Sequence, residues 1–263
     1  MDGKNKVHRG AAHFLPRPGG WLAVISMLVP LVVWQMLASM PRMTAFILPS
    51  PLQVAVRFGQ MLADGSLLRH TGYTLAEVLL GLALGSTLAT LTGYALARSH
   101  LLERMLSPYL VASQAVPVVA IAPLLVIWFG PGLFSKVLIC ALIVFFPVLV
   151  NTVVGLRAVP QNLRDLMVAL RASQAQILWN LEIPAAMPVL LGGLRIGATL
   201  SVIGAVVGEF VGSDRGLGFL VNVGRGRYDT AMVFVAIITL ILMALSLYGI
   251  AVLVEKRLLR WEA

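Results

Sequence analysis

The chain has 263 residues, of which 59% are hydrophobic and only 12% charged, with a formal net charge of +9. Soluble domains carry about 25% charged residues, so the composition excludes an ordinary globular core and fits a polytopic membrane bundle. The positive charges lie between apolar runs, not on a basic patch interleaved with aromatics, which argues against nucleic acid as a partner.

Cys140 is the only cysteine. A disulfide within the chain is therefore excluded, and Cys140 reads as a small core or lipid-facing residue. His8, His13, His70 and His100 have no ligand spacing, so no metal site is expected. The phosphate-cradling pattern GxxxxGK[ST] is absent, so the chain has no nucleotide-binding loop of its own.

Residues 1–20 are basic and broken by Pro16, Pro18 and Gly19-Gly20. The apolar run from Trp21 to Met40 is long enough to span a bilayer. It lacks a small-x-small cleavage site, so it reads as a retained first helix, locally kinked at Pro30. Leu48-Pro49-Ser50-Pro51 reads as a rigid extended turn, because each proline pushes its predecessor out of the helical region. Leu52, Val56, Gly59, Leu62 and Ala63 then recur at helical spacing with Gln53, Arg57 and Gln60 between them, which predicts a short surface amphipathic helix.

Thr71 to Ala97 is the second expected span. Gly81, Gly85, Ala89, Gly93 and Ala97 recur every fourth residue, a stripe that lets another helix approach closely. Glu77, near its beginning, is an acid expected at the interface or bonded within the bundle. Arg98 to Met105 reads as a charged turn. Leu106 to Phe129 is the third expected span, interrupted by Pro108, Pro117 and Pro123. Backbone groups freed by proline are tolerated in a membrane only where protein or a water-filled cavity satisfies them. This span reads either as pathway-lining or as an ordinary kinked helix.

Gly130-Pro131-Gly132 is a tight turn. Leu133 to Leu156 is the fourth span, containing Pro147 and Asn151. A polar interruption, Asp165 to Pro184, follows. Ala185 to Val211 is the fifth span, with two stripes of small residues and with Arg195 and Glu209 near its ends. Residues 212–229 are glycine-rich, and their apolar centre at Leu217 to Val221 suits a shallow re-entrant helix. Thr230 to Val254 is the sixth span, before a basic tail anchored by Trp261.

The expected fold is thus an all-α polytopic membrane protein of about six transmembrane helices. It comprises an N-terminal tail over 1–20, a membrane domain over 21–254 with a long polar loop at about 157–184, and a C-terminal tail over 255–263. With both termini inside, the inner segments carry twelve of the 20 Lys and Arg residues and the outer segments seven. The excess places the termini and the polar loop in the cytoplasm. Within that loop Asp165 to Leu178 can form a helix, and a turn near Arg171 to Ser173 would make it two. Pro184 then starts the next helix, where a missing N–H costs nothing.

The polar loop resembles that of bacterial ABC-importer permeases of the binding-protein-dependent type. That family carries an acid-Ala-Ala triplet, a glycine four residues later, then nine residues and Ile-x-Leu-Pro. Here Asp165-Leu166-Met167 occupies the triplet, with Ala169, Ala172 and Ser173 in the same loop. Arg171 sits at the glycine position, and Leu181-Glu182-Ile183-Pro184 fills the terminal element. Arginine resists a left-handed turn and prevents close approach. Either the turn is fully helical here, or Arg171 makes a new contact.

Further elements resemble the subfamily that imports nitrate, sulfonates, taurine and vitamin precursors. They are Leu48-Pro49-Ser50-Pro51, Pro117 with Ala122-Pro123-Leu124-Leu125, Trp128-Phe129-Gly130, Phe145-Phe146-Pro147, Asn151-Thr152, Gly193-Leu194-Arg195, and Glu209 with Gly216-Leu217-Gly218. The resemblance implies a multi-pass permease in the bacterial inner membrane, without catalytic residues or bound cofactors of its own. It implies a second permease chain, identical or not, two cytoplasmic ATPase subunits that bind the ATP, and an external solute-binding protein. It implies that the loop around Leu166 docks on the ATPase and that Pro117, Pro123, Asn151 and Glu209 are pathway candidates. The run Gly208 to Gly216 looks more like the vitamin branch, which favours riboflavin or a related heterocycle such as a thiamine pyrimidine precursor. Sulfonate, taurine and nitrate are the alternatives within the class.

Two other classes are weighed against this one. An ion-coupled secondary transporter wants acids near the midplane, and the spans offer only Glu77 and Glu209, both near span ends. An intramembrane enzyme needs a catalytic set inside the spans, where the only histidine is His70 at an edge.

Overall fold

The computed structural model describes residues 20–40, 47–114 and 117–259, and all regular structure among them is helical. The basic N-terminal tail and the Trp261 anchor lie outside the described residues. The chain forms two compact units, Met1–Gln53 and Val54–Ala263.

In the first unit, helix α1 (Gly20–Ala38) is 19 residues long and contains Pro30. The Trp34 indole N–H donates to the Pro49 carbonyl at 3.0 Å. Helix α2 (Pro51–Ala63), whose residues from Val54 on belong to the second unit, is the expected amphipathic helix. Ser50 and Gln53 form a reciprocal cap at its start: the Gln53 side chain accepts the Ser50 N–H at 2.9 Å and the Ser50 hydroxyl accepts the Gln53 N–H at 3.3 Å. Pro51 follows the cap, where no partner for its nitrogen is needed.

The second unit contains the other long helices. They are α3 (Ser66–Arg98), α4 (His100–Gln114), α5 (Val118–Phe129) and α6 (Leu133–Arg157). After the short α7 (Gln161–Ala169) and α8 (Gln174–Ile177), a π-helical turn at Leu178–Glu182 leads into α9 (Ile183–Val211). The re-entrant segment is α10 (Leu217–Gly226), and α11 (Thr230–Leu258) closes the chain. Helix α6 packs against both α3 and α9.

The small-residue stripes make these two seams. Gly81 of α3 and Gly204 of α9 press on α6 at Cys140, which is fully buried. A β-carbon on Gly81 would stand 2.2 Å from Cβ of Cys140, and one on Gly204 would stand 2.7 Å from its Cα. Lower on α3, Gly85 lies against the Ala141 carbonyl and Gly93 against Thr152. In lipid there is little hydrophobic force between helices, so this close van der Waals packing holds them together.

Among the described residues four helical stretches are long and apolar enough to cross a membrane: Ser66–Arg98, Leu133–Arg157, Gln174–Val211 and Thr230–Leu258. The second span starts earlier than Thr71, because the Asp64 carboxylate accepts the Ser66 N–H at 2.8 Å and holds the first turn. The third expected span differs more. It is two helices, α4 and α5, parted before Pro117. Helix α5 has 12 residues, about 18 Å of rise against a hydrocarbon core of about 30 Å. The charged turn expected at Arg98 to Met105 is instead the start of α4, capped by Ser99, whose hydroxyl accepts the Leu102 N–H at 3.3 Å.

The polar loop folds as two short helices broken near Arg171, as expected, but the second does not end before Pro184. It continues through the π turn as one 38-residue helix to Val211. Proline cannot donate to the carbonyl one turn back, and its ring crowds it. The helix widens there, with the Ile183 N–H bonding the Leu178 carbonyl.

Candidate functional site

Helix α7 has no buried residue. Leu166, Val168 and Leu170 are all more than half exposed, although leucine and valine are ordinarily drawn inside. Asp165 is exposed, and its carboxylate accepts from the Gln161 amide at 3.0 Å, one turn earlier. Met167 is half-buried and Ala169 exposed.

The turn after α7 is closed by two hydrogen bonds. The Arg171 N–H reaches the Val168 carbonyl at 2.9 Å and the Ala172 N–H reaches the Met167 carbonyl at 3.0 Å. This is the Schellman pattern, whose penultimate position is usually glycine. Arg171 fills it with φ of +57°. Neither alternative drawn from the sequence describes this turn: it is left-handed, and arginine accepts the strain. Ser173 then caps α8, its hydroxyl accepting the Gln176 N–H while the Gln176 side chain accepts the Ser173 N–H.

Charge pairs hold this loop to the bundle. Glu182, in the π turn, is 1% exposed. Its carboxylate lies 2.8 Å from Arg98, the last residue of α3, and 3.4 Å from Arg164 of α7. Arg98 also donates to Gln174 at 3.4 Å, and Arg164 donates to the Leu156 carbonyl at 2.8 Å. Ile177 is buried, while Ile183 and Pro184 are half-buried at the head of α9. Beside them Arg157 of α6 pairs with Glu103 of α4. The Glu182 cluster escaped sequence reasoning, although an acid directly before a long apolar run signals a need for cations.

A second constellation lies at the opposite ends of α3 and α9. Three successive N–H groups at the start of α10 each meet a side chain from another helix. Gly216 donates to Nδ1 of His70 at 3.0 Å, Leu217 to the Thr74 hydroxyl at 2.8 Å, and Gly218 to the Glu209 carboxylate. The Thr74 hydroxyl in turn donates a hydrogen bond to Glu209 at 2.6 Å. Glu77 lies within the bundle, as one of its expected placements had it, and 3.8 Å from Lys136. Lys136, counted from sequence as an outer loop charge, is itself buried in α6 and donates to the Pro131 carbonyl at 2.9 Å. Its place three residues inside the apolar run was the available signal.

The four pathway candidates are not gathered in one place. Glu209 is buried in this second constellation. Asn151 donates to the Pro147 carbonyl one turn back at 2.7 Å and packs on Gly193. Pro117 begins α5, and Pro123 is exposed on it. A cleft of about 360 Å³ between α3 and α9 is lined by Ser86, Thr87, Thr90, Leu91, Val148 and three leucines of α9, with none of the four among them. Among the described residues no cluster suits a metal ion.

Residues 81–260 match the family described as binding-protein-dependent transport system inner membrane component. The chain is 49% identical over 239 residues to the riboflavin transport system permease protein of Chloroflexus aurantiacus, covering 91% of this chain and 89% of that one. It is 36% identical over 235 residues to the formylaminopyrimidine transport permease protein of Halalkalibacterium halodurans, covering 89% and 93%. The fold is shared with a chain of the MetNI methionine ABC transporter in inward-facing form. The TM-score there is 0.64 at 18% identity, over 73% of this chain and 95% of that one.

Proposed function

The chain belongs to the family of binding-protein-dependent transport system inner membrane components, and from that premise we propose that it is the permease of an ATP-driven importer for riboflavin or a closely related vitamin-type heterocycle. It is a multi-pass membrane transport subunit, not an enzyme. The observation that carries the substrate is the 49% identity to a riboflavin permease, which extends over 91% of the chain.

In this reading α7, with Leu166 and Val168 exposed on it and Leu170 exposed at its end, docks on an ATPase subunit. Asp165, Met167, Ala169, Arg171, Ala172 and Ser173 complete the docking surface, and Ile183-Pro184 joins it to α9. Two ATPase chains bind the ATP, and a second permease chain completes the pathway. An external binding protein delivers the solute on the side of His70, Glu209 and Arg215. ATP drives the change of state because the ATPase makes different contacts with the loop in its open and closed forms. Both termini lie in the cytoplasm of a bacterial cell.

The test is calorimetric. The solute-binding protein that serves this permease is titrated with riboflavin, a formylaminopyrimidine and taurine. Riboflavin is expected to bind at low micromolar concentration or tighter, on the order of −8 kcal/mol. Taurine binding with no riboflavin response overturns the substrate assignment.

A further inference from the structure

We infer that Glu182 is the strut through which movement of the α7 loop reaches the end of α3. The inference rests on the reading of α7 as the ATPase-docking element. A loop that only needed attachment would be held by Ile177, which is buried, and by Arg164 on the Leu156 carbonyl. The structure adds a carboxylate enclosed at the junction of three elements. Glu182 belongs to the π turn at the head of α9, Arg164 to α7 and Arg98 to the end of α3. Arg98 also donates to the Gln174 side chain of α8, so α8 meets this α3 residue directly and α7 meets it through Glu182.

Burial makes this junction stiff. The Glu182 side chain is 2% exposed while its two arginines are about a third exposed. Withdrawing either arginine leaves a carboxylate away from water with one cation in place of two, which is the costly direction for a buried pair. When α7 shifts, Arg164 therefore carries Glu182, and Glu182 carries Arg98. Helix α3 lies along α6 for most of its length through the glycine seam, so displacement at Arg98 is delivered to the bundle.

The transporter is assembled in proteoliposomes with its ATPase and binding protein, with a bimane probe at Asn162→Cys on α7 or at Ala95→Cys on α3. Both positions are exposed. The signal is the fluorescence change on adding ATP with vanadate. In the otherwise unmodified transporter both probes are expected to respond. In Glu182→Gln the α7 response persists while the α3 response falls at least about fivefold, the size of an ordinary coupling between sites. Arg98→Gln does the same, and the double variant is no worse than either single, because the pair acts as a unit. Equal α3 responses with and without Glu182→Gln overturn the strut. An α7 probe silent to ATP in the unmodified transporter overturns the docking reading itself. Should Glu182→Gln fail to assemble, Arg98→Gln, which leaves Arg164 on the carboxylate, decides by the same criterion.

Discussion

Arg171 and Gly216 both have positive φ, at +57° and +102°, and substitution at the two has opposite consequences. Arg171 ends α7 in a left-handed turn that costs a β-carbon-bearing residue roughly 1–2 kcal/mol. Arg171→Gly removes that cost and adds back some backbone entropy in the unfolded chain. A net gain of about 0.5–1 kcal/mol is expected, read as a higher thermal midpoint in detergent. At Gly216 a β-carbon would lie 2.1 Å from a Glu209 oxygen. Gly216→Ala must therefore displace the carboxylate that receives Thr74 and Gly218, and a loss of about 3 kcal/mol or more follows. A midpoint unchanged in either variant would contradict this account of the two turns. The chain uses a second non-glycine left-handed turn at Tyr228, φ +57°, where the Asp229 N–H reaches the Gly224 carbonyl at 2.9 Å. Asp229 then caps α11 and pairs with Arg57 at 2.7 Å.

At the scale of elements, α6 is held by what its neighbours lack. Its two seams use glycine wherever backbone approaches backbone, and Cys140 is the side chain small enough to lie between both. Gly204→Val would force a branched side chain into the α6 backbone. Overpacking of this kind costs about 1–3 kcal/mol, and the detergent midpoint should fall accordingly. Gly59→Ala on α2 is the control, since nothing lies within 4 Å of its new methyl group. Replacing a helical glycine there is neutral or stabilising by up to about 1 kcal/mol. A fall in both variants by the same amount would mean that the seam does not decide the first, because helix propensity alone favours both replacements. The same scale explains why the third expected span is built as two helices. Apolar residues run from Leu106 to Phe129, but Pro117 supplies neither a donor nor freedom for its predecessor, and the chain restarts as α5.

For the molecule as a whole, helix direction sorts the charges. Arg98, Glu103, Arg157, Arg164 and Glu182 gather at one end of α3, α6 and α9, and His70, Glu77, Lys136 and Glu209 at the other. In the orientation proposed from the excess of Lys and Arg, the Arg98 end faces the cytoplasm. A membrane-impermeant maleimide should therefore label Leu170→Cys only from the cytoplasmic side and Asp214→Cys only from outside. The reverse pattern would invert the assignment. Both positions are exposed, so accessibility is limited by sidedness alone.

The sequence by itself determined an all-helical membrane chain, the stripes of small residues, the short helix after Pro51, the break near Arg171 and the family. Each of these depends on local periodicity, on proline and glycine, or on a spacing along the chain. Only the tertiary structure decided that Lys136 and Glu77 are buried together, that Glu209 anchors the start of α10, and that Glu182 joins α3, α7 and α9. Those pairings link residues as far as 84 positions apart. A charge near the end of an apolar run reads the same in sequence whether it faces headgroups or another helix. What separates the two cases is the partner that packing brings within hydrogen-bonding reach, where a charge removed from water must be matched.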